Sequence, residues 1–217
     1  MDTILHQISL MDQVENEQEL SEIIHSLLQA IGNYTGADRV YVFDWETDQK
    51  DSLSNTFEWC ADGVAPEIDN LQAIPVSSMP NWVKRFENKE VIVIHDLEAT
   101  KNSEPEEYEL LKTQEIYSLI AVPIYANHQM NGFIGVDNPD LRQNEISITL
   151  LSDVGGHLGC VRKNLKSTVL LKKALDEATK RSEIIAAIAT LYVTIVQANV
   201  KERTYELLKG HDLVQKI

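Results

Sequence analysis

The side chains that could do chemistry in this chain are few and scattered. Cys60 and Cys160 are its only cysteines and lie far apart in the sequence. Thiol catalysis needs a thiolate with a resolving partner, and a zinc site needs four close ligands. Both cysteines therefore read as small hydrophobes. His6, His25, His95, His128, His157 and His211 include no pair at metal-ligand spacing. His25 and His157 fall beside apolar helical stripes, where a pH-sensitive helix contact and a solvent-edge histidine are both open readings. Trp59, Trp82 and Phe86 could stack on a flat ligand or pack as plain core. Asp137 ends an apolar run, where it could accept hydrogen bonds from a ligand or stand exposed in the turn Asp137-Asn138-Pro139. No catalytic residue and no metal ligand is assigned, so the reading is of a chain that is not itself an enzyme.

The charge is unevenly placed. The chain carries −15 in all, with −20 over residues 1–161 and +5 over residues 162–217. So acidic a body disfavours nucleic-acid binding, and the change of sign near residue 162 suggests a new element there. The longest apolar run is taken to be Leu119–Ala126, interrupted by Pro123. On that reading no membrane insertion and no secretory leader are expected, and the localisation expected is cytoplasmic.

These residues need elements to hold them. Ile4, Ile8, Met11 and Val14 have helical spacing, and Leu20 to Ile31 form a second helical stripe that Gly32 or Gly36 can end. Val40–Phe43 and Asn55–Trp59 read as strands, and proline-rich residues 61–80 read as a loop. A helix at 81–86, a strand at 91–94 and a surface helix at 104–115 follow. Ser118–Tyr125 reads as a strand in which Pro123 suits an edge or a bulge, and residues 132–137 return as its hairpin partner. The turn between them is placed in 127–132, with Asn131-Gly132 supplying turn chemistry. From Asn144 a helix runs to about residue 183, with Leu151, Val154, Leu158, Val161 and Leu165 on a seam of alternating three- and four-residue steps. Tyr192–Val196 reads as a strand, followed by a turn toward Tyr205.

The pair Ser118-Leu-Ile-Ala-Val-Pro-Ile and Gly132-Phe-Ile-Gly-Val-Asp-Asn-Pro139 resembles the central strands of GAF domains, in the order and setting typical of that family. Residues 184–208 are similar to the opening of PAS-like domains that precede diguanylate cyclase modules. The resemblance implies an α+β fold, a six-stranded antiparallel sheet with helices on both faces and a long C-terminal signalling helix. It divides the chain into a lead-in (1–17), a GAF domain (18–165), a coiled-coil-like linker (166–183) and a PAS-like start (184–217). The implied pocket wall takes Tyr41, Phe43 and Trp59 from the first two strands and Pro75, Val76, Trp82 and Phe86 from the capping segment. Ile94, Ala121, Pro123, Ile134, Val136 and Asp137 complete it. The implied partner is a second copy, a homodimer through the N- and C-terminal helices, with the Leu151–Leu165 seam between them.

The resemblance also limits the ligand. The Asn-Lys-x-Phe-Asp pattern of cyclic-nucleotide-binding members is missing, and neither cysteine has the setting used for bilin attachment or methionine sulfoxide reduction. No haem, metal or bilin is implied. The expected function is that of a sensory module, binding an unknown small ligand or partner and signalling through a dimeric helix to an output domain, a diguanylate cyclase first. The alternative is a dimerisation scaffold with an unused pocket, in a histidine kinase or another signalling enzyme.

Overall fold

The computed structural model describes residues 1–214 other than Asp48 and Asn127. Helix α1 (Asp2–Met11) leads into α2 (Glu17–Thr35). Asn16 opens α2 by accepting from the Glu19 N–H at 3.0 Å, while the Glu19 carboxylate reaches back to the Glu15 N–H at 2.9 Å. Gly36 closes it in the left-handed region at φ 64°. The sheet contains β1 (Arg39–Trp45), β2 (Ser52–Cys60), β3 (Ile74–Pro75), β4 (Ile92–Ile94), β5 (Leu119–Ala126) and β6 (Gln129–Asp137). Its order is β3-β2-β1-β6-β5-β4, with every neighbouring pair antiparallel. This is the expected six-stranded α+β fold. The sixth strand is β3, two residues inside the segment expected to be loop.

Strand parity divides the side chains between two cores. Val40, Val42, Ile120, Val122, Ile134 and Val136 face α1, α2 and the first turns of α5 (Asn144–Val214). Tyr41, Phe43, Leu119, Ala121 and Phe133 face a cap made of α3 (Pro80–Glu87) and α4 (Pro105–Leu111). Helix α4 is not the surface helix expected, because Glu107, Tyr108 and Leu111 are buried. The Glu107 carboxylate accepts from the Asn81 N–H at 2.7 Å, placing negative charge at the α3 N-terminus. Pro123 lies beyond the reach of β4, which pairs only with Leu119–Ala121, and next to a register shift at Ile124/Tyr125.

Three expectations are corrected. Asn131-Gly132 lies inside β6, because Ala126 pairs with Gln129 and the turn falls before it. Gly132 is needed instead for close approach, as a Cβ there would meet the Phe43 carbonyl oxygen at 1.9 Å. Helix α5 continues through Tyr192–Val196 and Asn199–Tyr205 where a strand and a turn were expected. The branched residues cost helix only tenths of a kcal/mol each, and the three-and-four apolar spacing of Ile184, Ile188, Leu191 and Ile195 continues unbroken. Finally, Ile184–Val200 carries no charged residue, and among the described residues α5 alone is long and apolar enough to cross a membrane by length and composition. Asp48, Asn127 and residues 215–217, parts of two expected turns and of the PAS-like segment, lie outside the described residues.

The chain divides into two units, Met1–Lys166 and Ser167–Ile217. In the first, Leu151, Val154, Leu158, Val161 and Leu165 are all buried in the helix-side core. They hold α5 to its own sheet, so the seam expected between two copies is occupied within one chain. Gly159 brings α5 close to β5, where a Cβ would meet the Tyr125 carbonyl oxygen at 2.3 Å, whereas Gly156 has nothing within 4 Å. Gly159→Ala is expected to destabilise the fold by about 1–3 kcal/mol and Gly156→Ala to stabilise it by about 0.5–1 kcal/mol, read by urea denaturation.

Candidate functional site

On the cap side, β1 and β6 present a row of aromatic rings. Phe43 and Phe133 stack at 4.7 Å between centroids, Phe86 lies 5.2 Å from Phe133, and Trp82 lies 6.1 Å from Phe133. Between this cluster and the cap is a cavity of about 30 Å³. Tyr41, Phe43, Leu71, Met79, Trp82 and Leu111 give it an apolar wall, and Glu58, Gln114 and Asp137 supply its polar groups. Small-molecule sites usually enclose about 300–1,000 Å³. The rings of this protein occupy that space themselves.

One charge network closes the cavity. Arg39 and Asp137 are register partners on β1 and β6, 3 % and 1 % exposed, with Nε 3.2 Å from Oδ2. Arg39 also donates to the Gln114 carbonyl and lies 3.9 Å from Glu67, so one guanidinium reaches the sheet and two segments of the cap side. The Tyr41 hydroxyl donates to Asp137 Oδ1 at 2.9 Å. Burial pushes the Asp137 carboxyl up to about 7, against the pull of Arg39 and the Tyr41 hydrogen bond. Tyr41 is raised as well, first by burial and then by the Asp137 charge. Glu58 is held by the N–H groups of Glu67 and Ile68 at 2.9 and 3.1 Å. The Trp82 indole N–H is buried and has no acceptor.

Of the residues expected in the pocket, Tyr41, Phe43, Trp82 and Asp137 line the cavity. Phe86, Ile94 and Ala121 belong to the same core without lining it. Pro123 is buried opposite Phe133, Val76 is half-buried, and Pro75 is exposed on the edge strand. Trp59, Ile134 and Val136 lie on the other face of the sheet and are not pocket residues. For Ile134 and Val136 the reason is strand parity. Trp59 packs over Gly32, where a Cβ would stand 1.9 Å from its ring. Asp137 is buried and ion-paired, which excludes the exposed-turn reading. Arg39, Glu58 and Gln114 were not anticipated, although Arg39 shares the period-two face of Tyr41 and Phe43. Among the described residues no three His, Cys, Asp or Glu side chains gather as a metal site. His157 meets Asp12 at 3.2 Å, and His25 packs edge-on against Phe57 at 5.3 Å. Cys60 is half-buried, with its thiol pushed up to about 11 by burial and by Glu58.

The family model of the GAF domain matches residues 19–160. A methanogenesis regulatory histidine kinase of Methanothrix harundinacea (strain 6Ac) is 31% identical over 127 residues, 55% of this chain and 14% of that protein. The chain thus spans a small part of that relative. Among solved structures, the chromophore-binding domain of an unusual bacteriophytochrome from R. palustris matches with a TM-score of 0.62 at 15% identity, over 77% of this chain and 61% of that one. The phycoerythrobilin-bound GAF domain of a cyanobacterial phytochrome matches with a TM-score of 0.59 at 15% identity, over 77% and 96%. At these identities the structures share the fold.

The raised Asp137 gives a signed pH dependence. A carboxyl whose folded value lies above its unfolded value of 3.8 contributes stability below that value and loses it as pH rises toward 7. The stability of the wild type relative to Asp137→Asn is expected to fall between pH 4 and pH 7. The slope reaches at most about 1.4 kcal/mol per pH unit, measured by urea denaturation at several pH values.

Proposed function

The chain belongs to the GAF domain family, and on that premise we propose that it is a regulatory module of a signalling protein whose pocket is filled by its own side chains. The observation that carries this is the cavity of about 30 Å³, walled by Phe43 and Trp82 and backed by their packing on Phe133 and Phe86. A tetrapyrrole or a nucleotide needs several times that space. Cys60 adds support, since a thiol near 11 is protonated at neutral pH and is a poor nucleophile for chromophore attachment. The module has no chemistry of its own in this reading. Regulation acts through the packing of sheet, helix layer and cap.

The partial identity to a regulatory histidine kinase favours a kinase as the output. The diguanylate cyclase and the PAS-like start at residue 184 rest on sequence resemblance alone. The helical course of Tyr192–Val196 weighs against the strand that such a start would need. A cytoplasmic placement belongs to the same proposal. A second reading, a small ligand admitted by movement of the cap, draws on the buried Trp82 N–H that lacks an acceptor.

Reconstitution separates the two. Biliverdin and cyclic GMP are expected to cause no absorbance shift, covalent adduct or rise in Tm with the wild type. Trp82→Ala removes the largest ring at the cavity and is expected to bind indole, seen as a rise in Tm that the wild type lacks. Native mass spectrometry showing one tightly held small molecule per purified chain would overturn the filled-pocket reading.

A further inference from the structure

A cavity of about 30 Å³ admits no organic ligand of ordinary size, but a proton needs no room. The charges around that cavity are out of balance. Among the described residues, the Arg39 guanidinium faces the carboxylates of Asp137 at 3.2 Å and Glu67 at 3.9 Å, and its Nε makes no hydrogen bond. Glu58 lines the same cavity, and Asp38 stands just before β1. Tyr41 and Cys60 are titratable neighbours too, and burial keeps both protonated at neutral pH. The segment after α4 brings the neutral Gln114 carbonyl. Of the four carboxylates Asp137 alone is buried, whereas Glu58 and Asp38 have neutral donors of their own in the Glu67 and Ile68 N–H groups and the Asn138 side chain.

We infer that Asp137 is a proton-operated latch: a proton on its carboxylate holds the cap shut, and loss of that proton loosens residues 67–72 and 111–116. This rests on the filled-pocket reading and names the input to that same site. The sign follows from desolvation. Ionised, Asp137 leaves one cation among several anions out of water, and an opening that hydrates the carboxylate relieves this. Protonated, it needs less hydration and still accepts the Tyr41 hydrogen bond at 2.9 Å. The closed site therefore binds the proton more tightly than the open one, and by linkage the proton favours closure. Burial outweighs Arg39 here, since the closed carboxyl titrates at about 7 against an ordinary 3.8. Two segments answer to the change, because Arg39 links Asp137 to Glu67 on one side and to the Gln114 carbonyl on the other. Closure is fully favoured below 3.8, weakens as pH rises, and changes no further above about 7.

The test is hydrogen exchange on the whole chain at pH 5, 6, 7 and 8, read as protection factors for peptides covering 67–72 and 111–116. Low urea identifies the local opening, because exchange through it hardly responds to denaturant. At such amides protection is expected to fall by up to about tenfold per pH unit from 5 to 7 and to level off by pH 8. Asp137→Asn should remove the slope. Tyr41→Phe takes away a hydrogen bond that favours the ionised carboxylate, so it should carry the slope to higher pH. Cap protection independent of pH in ligand-free wild type would overturn the latch and leave the filled pocket standing. So would a slope that survives in Asp137→Asn. A small molecule retained in native mass spectra would instead overturn the filled pocket, and the latch with it.

Discussion

Arg39 carries a full charge into the cap-side core, and closure of that side depends on neutralising it. A buried guanidinium is tolerated only where its charge is countered. The Gln114 carbonyl accepts a hydrogen bond from it, and the carboxylates of Asp137 and Glu67 lie 3.2 and 3.9 Å away, although Nε itself makes no hydrogen bond. These partners come from β6, from the turn after α4 and from the irregular segment after β2, so meeting the electrostatic demand of one residue also draws the cap over the sheet. The pairing has an internal tension. Burial favours the protonated form of Asp137, while Arg39 favours the ionised one, and Tyr41 orients the carboxylate between them.

The aromatic cluster beneath that network determines what the site can admit. Phe43 and Phe133 lie face to face because they are register partners on adjacent strands, and Trp82 and Phe86 reach them from the same side of one short helix. Four rings thus pack together on the cap side of this fold. The Trp82 indole N–H is a buried donor without an acceptor beside these rings, as Arg39 Nε is in the charge network.

Helix α5 answers two separate demands. Its first turns bury a stripe against the sheet, with Gly159 admitting β5 to close range. After Lys166 the apolar residues are open, and a new stripe begins at Leu171 in a different phase. The change of phase near Thr168 separates a helix face buried in the first unit's core from one whose apolar side chains are exposed.

Period-two and period-3.6 patterns in the sequence made the first two helices, β1, β2 and the central hairpin legible, and the resemblance supplied the α+β class, whereas β3 and the helical course of Tyr192–Val196 were not legible. Leu20–Ile31, Val40–Phe43 and the Ser118–Asp137 strands could be read because such patterns record which faces are buried. The resemblance, rather than any pattern, indicated Tyr41, Phe43, Trp82 and Asp137 as pocket residues, and all four line the cavity. Tertiary structure decided the rest. Which parity of β6 faces the cap depends on its pairing with β1, so Ile134 and Val136 could not be excluded by pattern. A spacing of threes and fours states that a helix face is buried but not by what, so Leu151–Leu165 served the sheet rather than a second chain. Arg39 could be recognised only once the fold placed Asp137 beside it, since a charge in a strand has no meaning until its partner across the register is known.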